Sequence, residues 1–504
     1  MFDTDNLGSL YDPDMGGDRT ALIDCRDWQA PAEYSHRDVD NLANGVARGL
    51  LARGLTAGDA VAIISANRAE FLFAYLGCLR AGIIAVPVNY QFSVEIIEFI
   101  LSDANIRLIF CDGPHKDLAS TDVPLVNFDA AGPAGFEALL NPGPCESFLP
   151  GPEDIAMVLY TSGSTGRPKG VPLSHHGHVW ALKSRMAAWP FDHHRLLVAA
   201  PLYHMNALCV SLFSMAVSAR MVLLPEFNSR RYLQAIERFR CTWITSVPTM
   251  LAMALMETDL LQSLDLSSVS VVRMGSAPVS QKLWQQIVEQ FPEASVMNGY
   301  GTTEAGPIVF GSTGGKPVPP TSVGRQMPGV DLKLIDDAGQ EADQGVLWHR
   351  TPATMRGYLN LPEKTAEVLT EDGWYISGDV FRRDEVGCYH FVGRSDDMFV
   401  CGGENIYPSE AEAVLVSHPK VVQACVVPVP DEIKGYKPVA FVVREADAPI
   451  GEAELKIHAL ANAPAFQHPR LVIFKDELPL AGPGKVDRKV LTREACEIWQ
   501  ENAR

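Results

Sequence analysis

Tyr160-Thr-Ser-Gly-Ser-Thr-Gly-Arg-Pro-Lys-Gly170, written YTSGSTGRPKG, gathers glycines, hydroxyls and a lysine into one short stretch. It is not the G-x-x-x-x-G-K-[ST] pattern, because Gly163 and Gly166 stand too close together and Pro168 and Gly170 flank Lys169. A run of Ser, Thr and Gly offers hydroxyls and backbone N–H groups that can wrap an anion, since glycine lets the backbone come close. Lys169 adds a point charge suited to a phosphate. The same residue types also build surface turns, so composition alone leaves both readings open.

The flanking chain puts the stretch in context. Residues 155–160 read as a strand, one of a series of short apolar runs at 59–65, 106–111, 196–200, 221–224, 241–247, 270–274 and 295–298. Between them lie helical patterns, such as 37–51 and 68–80. Apolar strands alternating with amphipathic helices predict an α/β fold with parallel sheets covered on both faces. Ligands of such folds sit beyond the carboxyl ends of the strands, which is where YTSGSTGRPKG falls. From about 310 to 393 the chain becomes rich in turns and short strands, including 331–335 and 345–349, and reads as a β-rich subdomain. After Gly393-Arg394 a compact α+β pattern begins, with helices at 409–417 and 452–461 and strands at 421–429 and 438–443.

The chain has 504 residues and a formal charge of −19. That balance argues against general binding to nucleic acid or to an anionic membrane, though not against a local basic pocket. Ten scattered cysteines form no CxxC pair and read as buried thiols of a reduced, cytoplasmic protein. The start, Met1-Phe-Asp-Thr-Asp, lacks the form of a secretory signal. The apolar stretch 203–219 is short for a membrane span and contains His204 and Asn206, so it reads as a buried helix.

Two more clusters bear on the opening loop. In Val296-Met-Asn-Gly-Tyr-Gly-Thr-Thr-Glu-Ala-Gly306 a strand runs into a glycine-rich turn. There Tyr300 can stack on a base, Thr303 can meet a phosphate oxygen and Glu304 can ligate Mg²⁺. In Gly373-Trp-Tyr-Ile-Ser-Gly-Asp379 the aspartate can hold both hydroxyls of a ribose, or cap a turn.

With GRSDDMFVCGGENIYPSE and LPLAGPGKVDR further along, the ordered set YTSGSTGRPKG, NGYGTTE and YISGD resembles the adenylate-forming superfamily over nearly the whole chain. That superfamily contains acyl-CoA synthetases, non-ribosomal adenylation domains and firefly luciferases. The resemblance implies a large N-terminal domain, 1–394, of two sheet-and-helix subdomains plus a β-barrel. It implies a small mobile α+β domain, 395–504, turning on a hinge at Asp396. Thr161, Ser162, Gly163, Ser164, Thr165, Gly166 and Lys169 then resemble the loop around the β- and γ-phosphates of ATP. The strand end Gly275, Ser276, Ala277 and Pro278 with Tyr300 falls to the adenine and Asn298 to its edge, and Gly299, Gly301 and Thr302 of the same turn to the nucleotide. Thr303 falls to the α-phosphate, Glu304 with Thr165 to Mg²⁺, and Asp379 and Arg394 to the ribose.

Lys485 matches the family's catalytic lysine, a cation that reaches carboxylate and α-phosphate as charge builds between them. Gly402 and Gly403 match the lining of a tunnel for the pantetheine arm of coenzyme A. Tyr436 departs from the acidic residue many relatives carry at that place. By the same carry-over, His204 gates the acyl carbonyl, and Tyr203, Met205, Asn206, Met274 and Ile308 line the acyl pocket. A polar Asn206 there favours a small or hydroxylated acid over a long alkyl chain, because a buried amide needs a partner.

The resemblance thus implies an ATP-dependent acid–thiol ligase taking a small carboxylic acid and coenzyme A. The expectation includes no nucleic acid and no membrane span, and is compatible with a homodimer. An adenylating enzyme that loads a separate carrier protein is the alternative.

Overall fold

The computed structural model describes residues 4–10, 16–118, 122–161, 167–186, 193–312, 317–445, 449–482 and 485–502. Two largely parallel sheets build the first part of the chain. One runs in the spatial order Leu125–Asn127, Ile106–Cys111, Ala60–Ile64, Ile84–Pro87, Ile155–Thr161 and Lys169–Ser174. The other runs Ser295–Asn298, Val271–Met274, Trp243–Ser246, Arg195–Val198, Arg220–Leu223, Thr20–Asp24 and Ala32–Ser35.

A central strand shows why these runs are apolar throughout. Ala60–Ile64 sends Val61 and Ile63 into the main core and Ala60, Ala62 and Ile64 into a second core on the opposite face. Both faces are covered, so a continuous apolar run replaces alternation. The helix His36–Ala52 starts at a capping box, in which Asp38 N–H donates to Ser35 Oγ and Ser35 N–H donates to the Asp38 carboxylate.

Each sheet ends in an antiparallel strand that periodicity does not predict. Lys169–Ser174 pairs with Ile155–Thr161, and Ala32–Ser35 pairs with Thr20–Asp24. The quoted loop is therefore the turn of a hairpin, with Thr161 and Lys169 as register partners at its mouth.

Between the sheets the helices Ala69–Arg80 and Met205–Ala216 face one another through Leu72, Tyr75, Leu76, Leu208 and Leu212. The stretch read as a buried helix is one. The carboxyl ends of the two sheets are stitched by buried Asn67. Its amide donates to the carbonyls of Ala200 and Leu224 and accepts from Leu202 N–H. An amide satisfied on both sides fixes the loop that carries Tyr203 and His204.

The β-rich part consists of two antiparallel sheets. One holds Tyr300–Thr302, Gly306–Gly311 and Arg325–Gln326; the other holds Asp331–Ile335, Gln344–Arg350, Tyr375–Arg383 and Tyr389–Arg394. The expected barrel takes the form of these two sheets around Phe310, Leu347, Phe381 and Tyr389, linked by a bridge between Gly324 and Tyr389.

Beyond Arg394 a five-stranded sheet with helices Pro408–Val416, Glu452–Asn462 and Arg488–Asn502 forms two small cores of its own. Arg488 grips Glu412 with both terminal nitrogens, at 2.6 and 2.8 Å, and donates to the Val426 carbonyl. Several contacts among the described residues join this unit to the rest. Ser409 Oγ donates to the Val392 carbonyl, and Lys282 Nζ donates to the carbonyls of Pro419 and Val421. Among the described residues no helix is long and apolar enough to cross a membrane.

His36, His175, His178 and His349 are buried, and burial pushes all four below the usual imidazole range, to about 4 for the first three and about 3 for His349. The unfolded chain takes up these protons near pH 6.5, while the folded chain refuses them until about pH 4. Stability is therefore intact above pH 6.5 and falls as the pH drops, by up to about 1.4 kcal/mol per pH unit for each histidine. Urea unfolding between pH 7 and 4.5 should show that steep acid-side loss, and it should flatten in a His349→Leu variant.

Candidate active site

The carboxyl ends of the parallel strands and the first turns of the β-rich part converge on one polar region. Lys169, at the mouth of the hairpin, donates to the Tyr358 hydroxyl at 3.0 Å, and its Nζ lies 4.1 Å from the centre of that ring. The Tyr358 hydroxyl donates in turn to Glu304 Oε1 at 3.2 Å. Burial, then the Glu304 charge, pushes the Tyr358 phenol well above its usual range, so it stays a neutral donor. Across the hairpin, Thr161 Oγ1 is shut off from solvent without a hydrogen-bond partner among the described residues. Ser162, Gly163, Ser164, Thr165 and Gly166 lie outside the described residues.

The turn that carries Glu304 is held from several sides. Ala305 N–H donates to Thr302 Oγ1, Thr351 Oγ1 donates to the Ala305 carbonyl, and Met355 N–H donates to the Glu304 carbonyl at 2.7 Å. Thr302 is thus engaged in its own turn, whereas Thr303 has no hydrogen bond among the described residues. Gly301 is required by space: a Cβ there would meet the Pro307 backbone at 2.3 Å. Ser276, in the strand-end turn before Ala277 and Pro278, has φ +68, a left-handed conformation unusual for a side-chain-bearing residue. Gly299 N–H donates to the Met274 carbonyl, which sets the two turns side by side.

Asp379 is the hub of the nucleotide side. It is 8% exposed. It accepts from the Tyr300 hydroxyl and from Arg394 Nη1, the latter at 3.0 Å. Burial raises the Asp379 carboxyl, and Arg394 and Tyr300 oppose that rise. Burial, then the Asp379 charge, holds the Tyr300 phenol far above its usual range. Arg394 continues the chain by gripping Asp396 with Nε and Nη2, at 2.9 and 3.1 Å. Asn298, the expected adenine-edge residue, is buried and donates to the Thr321 carbonyl at 3.2 Å.

On the acyl side, His204 caps the helix Met205–Ala216 and its ring meets Tyr203 at 4.7 Å; Tyr203 meets Tyr90 edge-on at 5.5 Å. Met274 and Ile308 are buried. Asn206 lies partly open, and its carbonyl oxygen already accepts from Arg273 Nη1 at 3.2 Å. The amide therefore reaches for Arg273 rather than standing with an unmet need.

Gly402 and Gly403, at φ +64 and +90, make the exposed turn between Phe399–Cys401 and Glu404–Ile406. Tyr436 stands beside this hairpin, its ring 6.3 Å from Phe399. Lys485 pairs in register with Gly482 in a short two-stranded ladder, and its side chain lies outside the described residues.

Three residues of this region escaped the sequence reading. Tyr358 sits in an ordinary Gly-Tyr turn, Arg185 near the end of a helix and Arg273 within a strand, and none shows a motif. Only the packing brings them to the site.

Comparison with known proteins agrees with this geometry. Residues 13–359 match the model of the AMP-binding enzyme family, and residues 410–485 match the AMP-binding enzyme C-terminal domain. A feruloyl-CoA synthase of Amycolatopsis sp is 34% identical over 90% of this chain and 91% of its own. The 4-coumarate–CoA ligase 2 of Nicotiana tabacum is 30% identical over 91% and 89%. An anthranilate CoA ligase solved with anthranoyl-AMP superposes with a TM-score of 0.90 at 27% identity, covering 97% of both chains. The chain belongs to the AMP-binding enzyme family, and it is an enzyme of the AMP-forming acid–thiol ligase class.

A Tyr358→Phe variant removes the link between Lys169 and Glu304 without opening a cavity. It should fold with unchanged stability and lose about tenfold in kcat/KM for ATP, the worth of one to two hydrogen bonds. Pyrophosphate release at varied ATP and Mg²⁺ measures this.

Proposed function

We propose that this protein is an ATP-dependent carboxylic acid:CoA ligase. In the first step a carboxylate oxygen attacks the α-phosphorus of ATP; that bond forms as the bond to pyrophosphate breaks, giving an acyl-AMP. In the second step the thiolate of coenzyme A attacks the acyl carbonyl, and the C–O bond to AMP breaks. AMP is a good leaving group, so no protein nucleophile is needed. The observation that carries this reading is the end-to-end similarity to CoA ligases.

The residues take roles consistent with it. The hairpin loop with Lys169 holds the β- and γ-phosphates, and the buried hydroxyl of Thr161 gains a partner there. Thr303, whose hydroxyl is uncommitted, meets the α-phosphate. Asp379 and Arg394 hold the ribose, and Tyr300, the Gly275–Pro278 turn and Asn298 hold the adenine. Glu304 fits Mg²⁺, since among the described residues its carboxylate meets only a neutral phenol, and hard cations take oxygen ligands. Such an ion would supply the charge that stabilises the leaving pyrophosphate. By the resemblance, Thr165 would be the second residue to hold it.

Residues 1–394 and 395–504 act as two domains, with Asp396 as the hinge. Arg394 grips both Asp379 and Asp396, which couples a ribose ligand to the pivot. Turned one way, the small domain presents Lys485; turned the other, it presents Gly402 and Gly403 to the pantetheine arm. The acid is compact and carries a polar substituent, as the 4-coumarate and ferulate of the relatives do.

Pyrophosphate release over a panel of acids, with and without CoA, tests the reading. Turnover that requires CoA supports it. A single burst that CoA does not restart points to a carrier protein as acceptor and contradicts it. Lys485→Ala should slow adenylation by ~10²–10³, the usual cost of removing one transition-state contact.

A further inference from the structure

Two arginines lie behind the acyl side of the site with no carboxylate to pair with among the described residues. Arg185, in the helix His175–Met186, is buried at 7% exposure, and neither Nη1 nor Nη2 has a hydrogen-bond partner among the described residues. Its guanidinium stacks 4.5 Å from the centre of Phe213, and Cys209 is its neighbouring polar group. Arg273, in the strand Val271–Met274, reaches Asn206 with Nη1. Its Nη2 lies 3.3 Å from where a Cβ on Gly299 would stand, beside the turn that carries Tyr300. The two cations repel one another. Burial first, and then the Arg185 charge, pull the Arg273 guanidinium down to about 9, while burial lowers Arg185 against the opposing pull of Cys209. No aspartate or glutamate forms an ion pair with either among the described residues.

Two unpaired cations sharing a poorly solvated space are a costly arrangement that stability alone does not explain. Stacking on Phe213 accommodates one guanidinium but neutralises neither. An anion between them satisfies both, and the planar fork of arginine suits a carboxylate.

We propose that the acid substrate is a dicarboxylic acid, one carboxylate being activated at the α-phosphate while the other is held by Arg273 and Arg185. This rests on the CoA-ligase reading of the same site, and it specifies the polar substituent. Gly299 supports it, since a side chain at that position would crowd the Arg273 guanidinium.

The test pairs aliphatic and aromatic diacids with their monomethyl esters and with the matching monoacids. AMP formation with CoA and the melting temperature with each acid alone are both measured. The expected result is a diacid preferred over its monoester by at least about 100-fold in kcat/KM, because a site built for a polar group rejects the analogue lacking it. Arg273→Met should abolish that preference, and should abolish the rise in melting temperature that the diacid causes. If this variant does not fold, Arg273→Lys is scored the same way, since it keeps charge but loses the fork. Monoacids used within about tenfold of the best diacid overturn the proposal while leaving the CoA-ligase reading intact. If no acid yields AMP, that reading fails instead. A diacid-specific thermal shift lost in Arg273→Met then still supports the diacid site, and its absence overturns it.

Discussion

The arrangement of the nucleotide side depends on one buried carboxylate. Asp379 binds Tyr300 from the NGYGTTE turn and Arg394 from the adjoining strand, its register partner. A buried carboxylate without partners is strongly disfavoured, and removing one member of such a set leaves an uncompensated charge. The constraint therefore runs outward. It holds Tyr300 neutral and in place, and it fixes Arg394, which in turn grips Asp396 at the start of the small unit. Segments some 80 residues apart in the chain are held together by this one group.

The site also divides the charge of the protein. With a net charge of −19, the surface repels anions at long range. Cations nonetheless stand in the polar region of the candidate site: Lys169 at the hairpin mouth, Arg394 beside Asp379, and Arg185 with Arg273 near Asn206. Each of the first two is matched by a neighbour, Tyr358 bridging Lys169 to Glu304 and Asp379 facing Arg394. Among the described residues no carboxylate matches Arg185 or Arg273.

How much of this was legible in the sequence follows from where the signals lie. The parallel strands were, because burial on both faces leaves runs such as AVAII, and so was the buried helix that holds His204 at its cap. The strand Lys169–Ser174 was not. It starts with lysine and contains Pro172, as an edge strand can, so it carries no apolar run. Arg185 looks in sequence like the polar side of a helix end, yet the packing of Phe213 and Trp243 encloses it. Tyr358 and Arg273 have no motif at all, since their roles come from tertiary neighbours. Asn206, expected to line the acyl pocket, spends its amide oxygen on Arg273.

The most direct test of the account follows oxygen. With the preferred acid labelled in its carboxylate with ¹⁸O, attack on the α-phosphorus places one labelled oxygen in the mixed anhydride, and cleavage of the acyl C–O bond leaves it on AMP. The account predicts AMP carrying one ¹⁸O for each thioester formed. Label in inorganic phosphate, or AMP without label, would mean that the acid is activated by another route and would contradict the account at its centre.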